Sequence, residues 1–197
     1  MPDARTISLY DTEAEGYADL VSSDKPYPRL EAFITSMPPG GTVLDLGCGP
    51  GNWAARMIDC GLTVDALDAS AGMATVARKT YGIEVRVGTF DDVSGEAIYD
   101  GIWAHFSLLH APRNALPHHL ATLGRALKPG GRFLLAMKLG EGSGRDGKDR
   151  LYTYYAEPEL LRLTTEAGFE ILDRELGTGT GFDGSSHAFI VLHATRP

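Results

Sequence analysis

Short apolar runs and amphipathic stretches alternate along this chain. The apolar runs at 42–46, 62–67, 83–87, 100–105 and 132–138 read as buried strands, and the stretches at 52–60, 70–79, 114–127 and near 157–167 read as helices. Within 114–127, Leu116, Leu120, Leu123 and Leu127 recur at spacings of four, three and four, which gives one apolar face. Lys128-Pro129-Gly130-Gly131 then stops the helix before the strand at 132–138. Two last runs, 169–176 and 187–194, flank the glycine-rich stretch 177–184 and read as an antiparallel pair. Ahead of the first strand, after a polar start, 11–36 carries two short helices, the second following Pro28 with Leu30, Phe33, Ile34 and Met37. Such alternation with short connections predicts a mostly parallel sheet with helices on both faces. No repeat or linker interrupts it, so 1–197 reads as a single domain, with 1–40 a helical cap and 41–197 an α/β core.

Composition narrows the setting. A chain of 197 residues, 43% hydrophobic and 22% charged, can bury a full core without disulfides or metals. No apolar run reaches the ~18 residues of a membrane span, and the start, Met-Pro-Asp-Ala-Arg-Thr, lacks a basic-then-apolar signal region. The expectation is a cytoplasmic protein without a membrane segment. A net charge of −8 opposes general binding to nucleic-acid phosphates, so no nucleic-acid partner is expected. Cys48 and Cys60 form neither a CxxC nor a zinc spacing, and no metal site is expected. Cys48 reads as a small side chain facing a ligand or the core.

The chemistry concentrates where the first strand ends. Val43 to Leu46 runs into three glycines at alternate positions, Gly47, Gly49 and Gly51, before a helix begins. Glycine tolerates positive φ and lets a ligand approach the backbone, so this turn is suited to a nucleoside at a strand's carboxyl end. The dinucleotide fingerprint needs its third glycine at position 52, where the chain has Asn52. A nicotinamide dehydrogenase is therefore disfavoured. The second strand ends in Asp68, about twenty residues on, where a carboxylate can accept both hydrogen bonds of a ribose diol.

The order Asp45-x-Gly47-x-Gly49-x-Gly51 resembles motif I of the class I, seven-stranded, S-adenosylmethionine (SAM) dependent methyltransferases. The likeness extends over nearly the whole chain: the Leu-Lys-Pro-Gly-Gly turn at 127–131, the run from Tyr99 to Ala104, and Ser107-Leu108-Leu109-His110 all match in order. It implies a doubly wound, mostly parallel seven-stranded sheet ending in an antiparallel hairpin whose last strand inserts between two others. It also implies SAM as cofactor and S-adenosylhomocysteine as product. In that frame the turn amides at 47–51 face the methionine carboxylate and Asp45 the ammonium. Asp68 holds the ribose, and Ala69, Ser70 and Met73 lie where the family packs the adenine, although Met73 reads equally as core. The third strand ends in Gly88-Thr89-Phe90-Asp91-Asp92, where relatives carry an acid for the adenine amino group; Thr89 departs from it. That role passes to Asp91 or to backbone groups with Phe90 over the ring, unless Asp91 and Asp92 are ordinary turn residues. Cys48, Ala104 and His105 complete the expected cofactor contacts.

A sulfonium methyl is already electrophilic, so alignment of the acceptor is most of what such an enzyme must provide. A base is needed only where the acceptor has a proton to lose, and His105 and His110 are its candidates, each equally readable as a packed neutral side chain. His118 and His119 point about 100° apart on their helix and read as solvent-facing. Lys138, Arg145, Lys148 and Arg150 lie in or beside a glycine-rich loop beyond the fifth strand, which either holds an anionic acceptor or is a solvated lid. Its pattern Lys-x-Gly-Glu-Gly-x-Gly-Arg-Asp, with Ser-Leu-Leu-His, resembles small bacterial tellurite-resistance-like methyltransferases. Tyr10 and Tyr17 match a start common in small-molecule methyltransferases, closing over the cofactor or anchoring the cap. A two-part lid favours a small, anionic acceptor on a monomer or homodimer. The other reading is a SAM-binding sensor or partner subunit without catalysis.

Overall fold

The computed structural model describes residues 2–21 and 27–197, so positions 22–26 of the expected cap lie outside the described residues. The cap contains helices α1 (Ala4–Thr12), α2 (Ala14–Val21) and α3 (Pro28–Thr35). Of these, α1 falls on the polar start and was not expected from periodicity. Its signal is a cap: the Asp3 carboxylate accepts from the backbone N–H of Thr6 at 2.9 Å, as helix N-termini require.

The core then follows the alternation: β1 (Thr42–Leu46), α4 (Asn52–Asp59), β2 (Thr63–Asp68), α5 (Ala71–Tyr81), β3 (Arg86–Val87) and β4 (Tyr99–His105). After them come α6 (Leu116–Ala126), β5 (Leu127–Lys138), β6 (Ser143–Arg145), β7 (Leu151–Thr153), α7 (Glu157–Glu166), β8 (Glu170–Thr180) and β9 (Ser186–Thr195). The seven-stranded sheet has the order β3-β2-β1-β4-β5-β9-β8. Its first five strands are parallel, while β9 is antiparallel to both β5 and β8 and so lies between them. Among the described residues, no helix is long and apolar enough to cross a membrane.

Strand periodicity sorts the core. Val43, Trp103, Leu134 and Val191 pack with Leu30 and Phe33 of α3 and Met57 of α4, whereas Leu44, Ile102, Phe133 and Leu192 pack with Leu116, Leu120 and Leu123 of α6 and Leu160 of α7. Burial on both faces makes the central strands continuous apolar runs.

Several boundaries differ from the sequence expectation, each for a local reason. β3 keeps only two residues, both exposed at the sheet edge. β5 starts at Leu127 instead of 132, because Leu127 already pairs with Tyr99 before the register shifts. β8 runs on through Gly177 and Gly179, whose missing side chains let the Phe189 ring lie across the strand; a Cβ at Gly177 would stand 2.5 Å from that ring. The loop after β5 is not structureless, since β6 and β7 pair within it as a strap.

Gly101 shows how closely the cap is seated. A Cβ there would lie 2.5 Å from the Met37 sulfur and 2.8 Å from the Phe33 ring. We expect Gly101→Ala to lower unfolding stability by about 1–3 kcal/mol through overpacking. An unshifted urea midpoint would show instead that α3 repositions freely.

Candidate active site

Three strand ends meet at one opening. Gly47, Gly49 and Gly51 hold φ of 71°, 55° and 82°, so each occupies the left-handed region that other residues resist. Gly47 has a second constraint, because a Cβ on it would stand 2.4 Å from that of Ser107 at the end of β4. The turn amides are not the free donors expected from the sequence. Gly47 and Cys48 both donate to the Leu67 carbonyl, Gly49 to Asp68 Oδ2 at 2.8 Å, and Gly51 to the Cys48 carbonyl. The glycines therefore supply clearance, and their polar groups fasten β1 to β2.

Asp68 accepts from Gly49 through Oδ2 and from Ser70 N–H at 2.9 Å through Oδ1, so each oxygen keeps a lone pair for a ligand. Burial pushes its pKa up, while the backbone donors from Ser70 and Gly49 oppose that shift. Asp45 is 1% exposed, and its Oδ2 has no hydrogen-bond partner. Burial, then the nearby Asp68 charge, raises its pKa to about 8, against a stabilising bond from the Ala54 amide.

The opening continues into a cavity of ≈ 1020 Å³, its mouth included, walled by Gly47, Gly49, Asp68, Ala69, Ser70 and Met73 on one side. Thr89, Phe90, Asp91 and His119 also line it, as do Tyr10, Tyr17, His105, Phe106 and His110. Met73 fills both expected roles, lining the cavity while packing at 1% exposure beside Ala14 and Val76. Asp45, Cys48, Gly51 and Ala104 lie behind the wall instead of on it. Thr89 spends its amide and hydroxyl on Asp92 Oδ2, at 2.7 and 3.0 Å. His119, expected in solvent, is 5% exposed, with Nδ1 unpartnered.

The lid is latched to the two histidines. His110 Nδ1 lies 2.7 Å from the Leu151 carbonyl, which can only accept, so the hydrogen is on Nδ1 and Nε2 carries the lone pair. Arg150 donates to the Tyr10 hydroxyl at 2.8 Å, which turns the Tyr10 hydrogen toward His110 Nε2 at 3.1 Å. The pattern repeats with Arg29, Tyr27 and His105, at 2.7 and 3.0 Å. Burial lowers His105 to about 3, helped by the Arg29 charge, and lowers His110 to about 4 despite its bond to Leu151. Both rings are neutral. Phe106, between His105 and Ser107, has a φ of 57°, a strained conformation of the kind that collects at functional sites.

The cations of the strap do not line the cavity. Arg150, 2% exposed, pairs with Asp146; Arg145 pairs with Asp3 at 2.7 Å; Lys148 pairs with Glu13 at 2.9 Å. They tie the strap to itself and to α1. Lys138 is 5% exposed with Nζ 3.8 Å from the Tyr152 ring centre, and among the described residues no carboxylate reaches ion-pair distance of it.

Comparison with known proteins agrees with this geometry. A family profile described as a methyltransferase domain matches residues 43–131. The cypemycin N-terminal methyltransferase of a Streptomyces species is 34% identical over 179 residues, covering 84% of this chain and 73% of that protein. The chain belongs to the class I SAM-dependent methyltransferases. A second relative of this methyltransferase, an uncharacterized methyltransferase of Staphylococcus carnosus, is 29% identical over 126 residues, or 64% of this chain. The chain spans 60% of the length of that relative. Among solved structures, the Burkholderia thailandensis 1,6-didemethyltoxoflavin-N1-methyltransferase, with S-adenosylhomocysteine bound, superposes with a TM-score of 0.76 at 23% identity. That superposition covers 98% of this methyltransferase and 88% of the Burkholderia chain. A TehB-like methyltransferase of Corynebacterium glutamicum shares the fold at a TM-score of 0.71 and 18% identity, covering 94% of this chain and 99% of its own, so the narrower tellurite-resistance likeness stops at the fold.

The neutral histidines fix a pH response. Unfolded, each takes a proton near pH 6.5; folded, His110 does so only near 4 and His105 near 3. Between these values the unfolded chain binds more protons, so their stabilising contribution is complete above about 6.5 and is lost as pH falls. We expect stability to fall from pH 7 to 4.5 by at most about 1.4 kcal/mol per pH unit per histidine, and His110→Asn to flatten the slope in urea titrations. A slope unchanged by His110→Asn would mean the ring is not held neutral.

Proposed function

We propose that this chain catalyses methyl transfer from SAM to a small, anionic acceptor, within a cavity closed by the cap and the strap. The observation that carries the proposal is the Arg150–Tyr10–His110 chain, which joins strap, cap and core across the acceptor end of the cavity. Small acceptors fit a site covered from two sides. They also fit the activities of several relatives, among them a dimethylglycine N-methyltransferase at 31% identity and a phosphoethanolamine N-methyltransferase at 31%. The anionic part of the reading rests on those same relatives, since a glycine derivative carries a carboxylate and phosphoethanolamine a phosphate.

The cofactor fits the residues present. Gly47 and Gly49 clear the space, Asp68 offers two lone pairs to the ribose, and Met73, Ala69 and Phe90 supply apolar cover for the base. When bound, SAM supplies an electrophilic methyl group on a sulfonium. The chain itself provides enclosure and a path for a proton. An acceptor N–H or O–H that meets the Tyr10 oxygen passes its proton there, while the Tyr10 hydrogen moves to His110 Nε2. Burial keeps His110 neutral at physiological pH, so Nε2 holds the lone pair that takes the proton, while the lowered pKa makes the ring a weak base and the proton's stay there brief.

Isothermal calorimetry with S-adenosylhomocysteine tests the cofactor reading. We expect saturable binding that Asp68→Ala weakens by roughly tenfold or more, as loss of a charged hydrogen-bond partner does. Tyr10→Phe should leave that affinity nearly unchanged. An acceptor screen over glycine derivatives, phosphoethanolamine and phenols, read by S-adenosylhomocysteine release, then tests the reaction: Tyr10→Phe should lower kcat on whichever acceptor turns over. Tight cofactor binding with no turnover on any of them would point to a binding module in place of an enzyme.

A further inference from the structure

His105 and His110 are held by the same kind of relay, yet they end with different atoms to spare. At His110 both nitrogens are engaged, Nδ1 with the Leu151 carbonyl and Nε2 with the Tyr10 hydroxyl. At His105 only Nε2 is engaged, by the Tyr27 hydroxyl at 3.0 Å. Arg29 Nη1 donates to that hydroxyl at 2.7 Å, which leaves the Tyr27 hydrogen to meet Nε2. Burial lowers the pKa of the ring to about 3, so the imidazole is neutral and its one hydrogen sits on Nδ1.

The relay is anchored away from the cavity. Arg29 Nε donates to Glu175 Oε2 at 2.8 Å, and the guanidinium lies over the rings of Tyr27 and Phe189 at 5.6 and 5.4 Å. Arg29 belongs to α3, Glu175 to β8 and Phe189 to β9. Around the His105 ring, Trp103 stacks on one face at 5.2 Å and 13°, while Phe106 and Trp53 stand edge-on at 4.7 and 6.3 Å. Aromatic neighbours fix the ring in place, and Arg29 and Tyr27 fix its tautomer. Its remaining polar group is Nδ1–H. Among the described residues five buried side-chain atoms lack both a partner and surface, and His105 Nδ1 is not one of them. The ring lines the cavity, so this N–H is a donor kept open there.

A neutral N–H can only donate, and the atom that answers it best is a charged oxygen. The cavity then offers two complementary groups: the Tyr10 oxygen, which takes a proton, and the His105 N–H, which meets a lone pair. An acceptor that uses both carries a nucleophilic N–H or O–H together with an anionic oxygen.

We propose that His105 determines acceptor specificity by donating its Nδ1–H to a carboxylate or phosphate oxygen of the substrate, with Tyr27 and Arg29 as the positioning residues that hold the donor tautomer. The proposal rests on the small-acceptor reading above and gives the anionic group its partner. His105 is then a donor to the substrate instead of a base.

Two measurements on the protein saturated with S-adenosylhomocysteine test it. Long-range proton–nitrogen NMR reads the tautomer. In wild type the His105 nitrogen that couples strongly to both carbon-bound ring protons, Nε2, should carry the lone pair, and Tyr27→Phe should move hydrogen onto it. Calorimetry with dimethylglycine, a carboxylate, and phosphoethanolamine, a phosphate, reads the contact. We expect one of the two to bind, which shows which oxygen the site takes. His105→Phe, which keeps a ring among the aromatic neighbours, should weaken that probe by roughly tenfold to a hundredfold, the range for a hydrogen bond to a charged group. Affinity for S-adenosylhomocysteine should change little, and His105→Asn, whose amide restores an N–H, should recover part of the loss. A wild-type ring with its hydrogen on Nε2 overturns the proposal, as does a His105→Phe protein that binds the probe as tightly as wild type. Either result leaves the small-acceptor reading standing. If wild type binds S-adenosylhomocysteine but neither probe, the anionic-acceptor reading falls and the proposal with it.

Discussion

The carboxylate of Asp68 is the tie on which the site depends. Through one oxygen it takes the Gly49 amide from the turn after β1, and through the other the Ser70 amide at the start of α5. Those bonds set the glycine turn against the end of β2 and leave the remaining lone pairs directed at the cavity. Ser70 carries the connection further: its hydroxyl caps α5 by accepting from Met73 N–H and donates to Asp11, whose carboxylate also accepts from Gly72 N–H. Asp11 belongs to α1, so the floor of the cavity and its lid share one hydrogen-bonded chain. A ligand that engages Asp68 therefore acts on a group already coupled to the cap.

Charge around the cavity follows one rule, that a buried ionisable group is either paired or neutral. Arg150 is paired with Asp146, and Arg145 and Lys148 with Asp3 and Glu13. His105 and His110 lose their charge instead, and Asp45 is driven toward its protonated form. Cations thus stand behind a screen of tyrosines, where Arg150 reaches the cavity only through the hydroxyl of Tyr10. The positive loop read from the sequence is real in composition, but its charge is used to fasten the lid. Lys138 lies against the Tyr152 ring, with the Asp183 and Asp146 carboxylates acting on it from beyond ion-pair distance.

Much of this was legible beforehand because local rules and the tertiary outcome agree. Strands buried on both faces must read as apolar runs, and the glycine turn and Asp68 sit at the strand ends where such chemistry is placed. What escaped depends on partners distant in sequence. The turn amides appear free until the Leu67 carbonyl is seen to take two of them. His119 and His118 share the same local pattern, and only the cavity behind Phe90 decides that one is buried. The strap strands, three residues each, are too short to show a period, and they form by pairing with each other. For α1 a signal existed in Asp3 and was outweighed by the helix's weak periodicity.

Unpaired atoms give a final view of the cavity that does not depend on resemblance. Ser107 Oγ and His119 Nδ1 are both buried without partners, and both belong to residues of the same wall, one beside Gly47 and the other beyond Phe90. Asp45 Oδ2, Trp103 Nε1 and His187 Nδ1 share that state, and each such atom costs about 1–3 kcal/mol. Ser107 Oγ and His119 Nδ1 lie beneath the wall, without surface of their own in the cavity. The polar demand on a ligand along this wall therefore comes from Asp68, and the glycine clearance on one side of it and the Met73 and Phe90 surfaces constrain the same molecule.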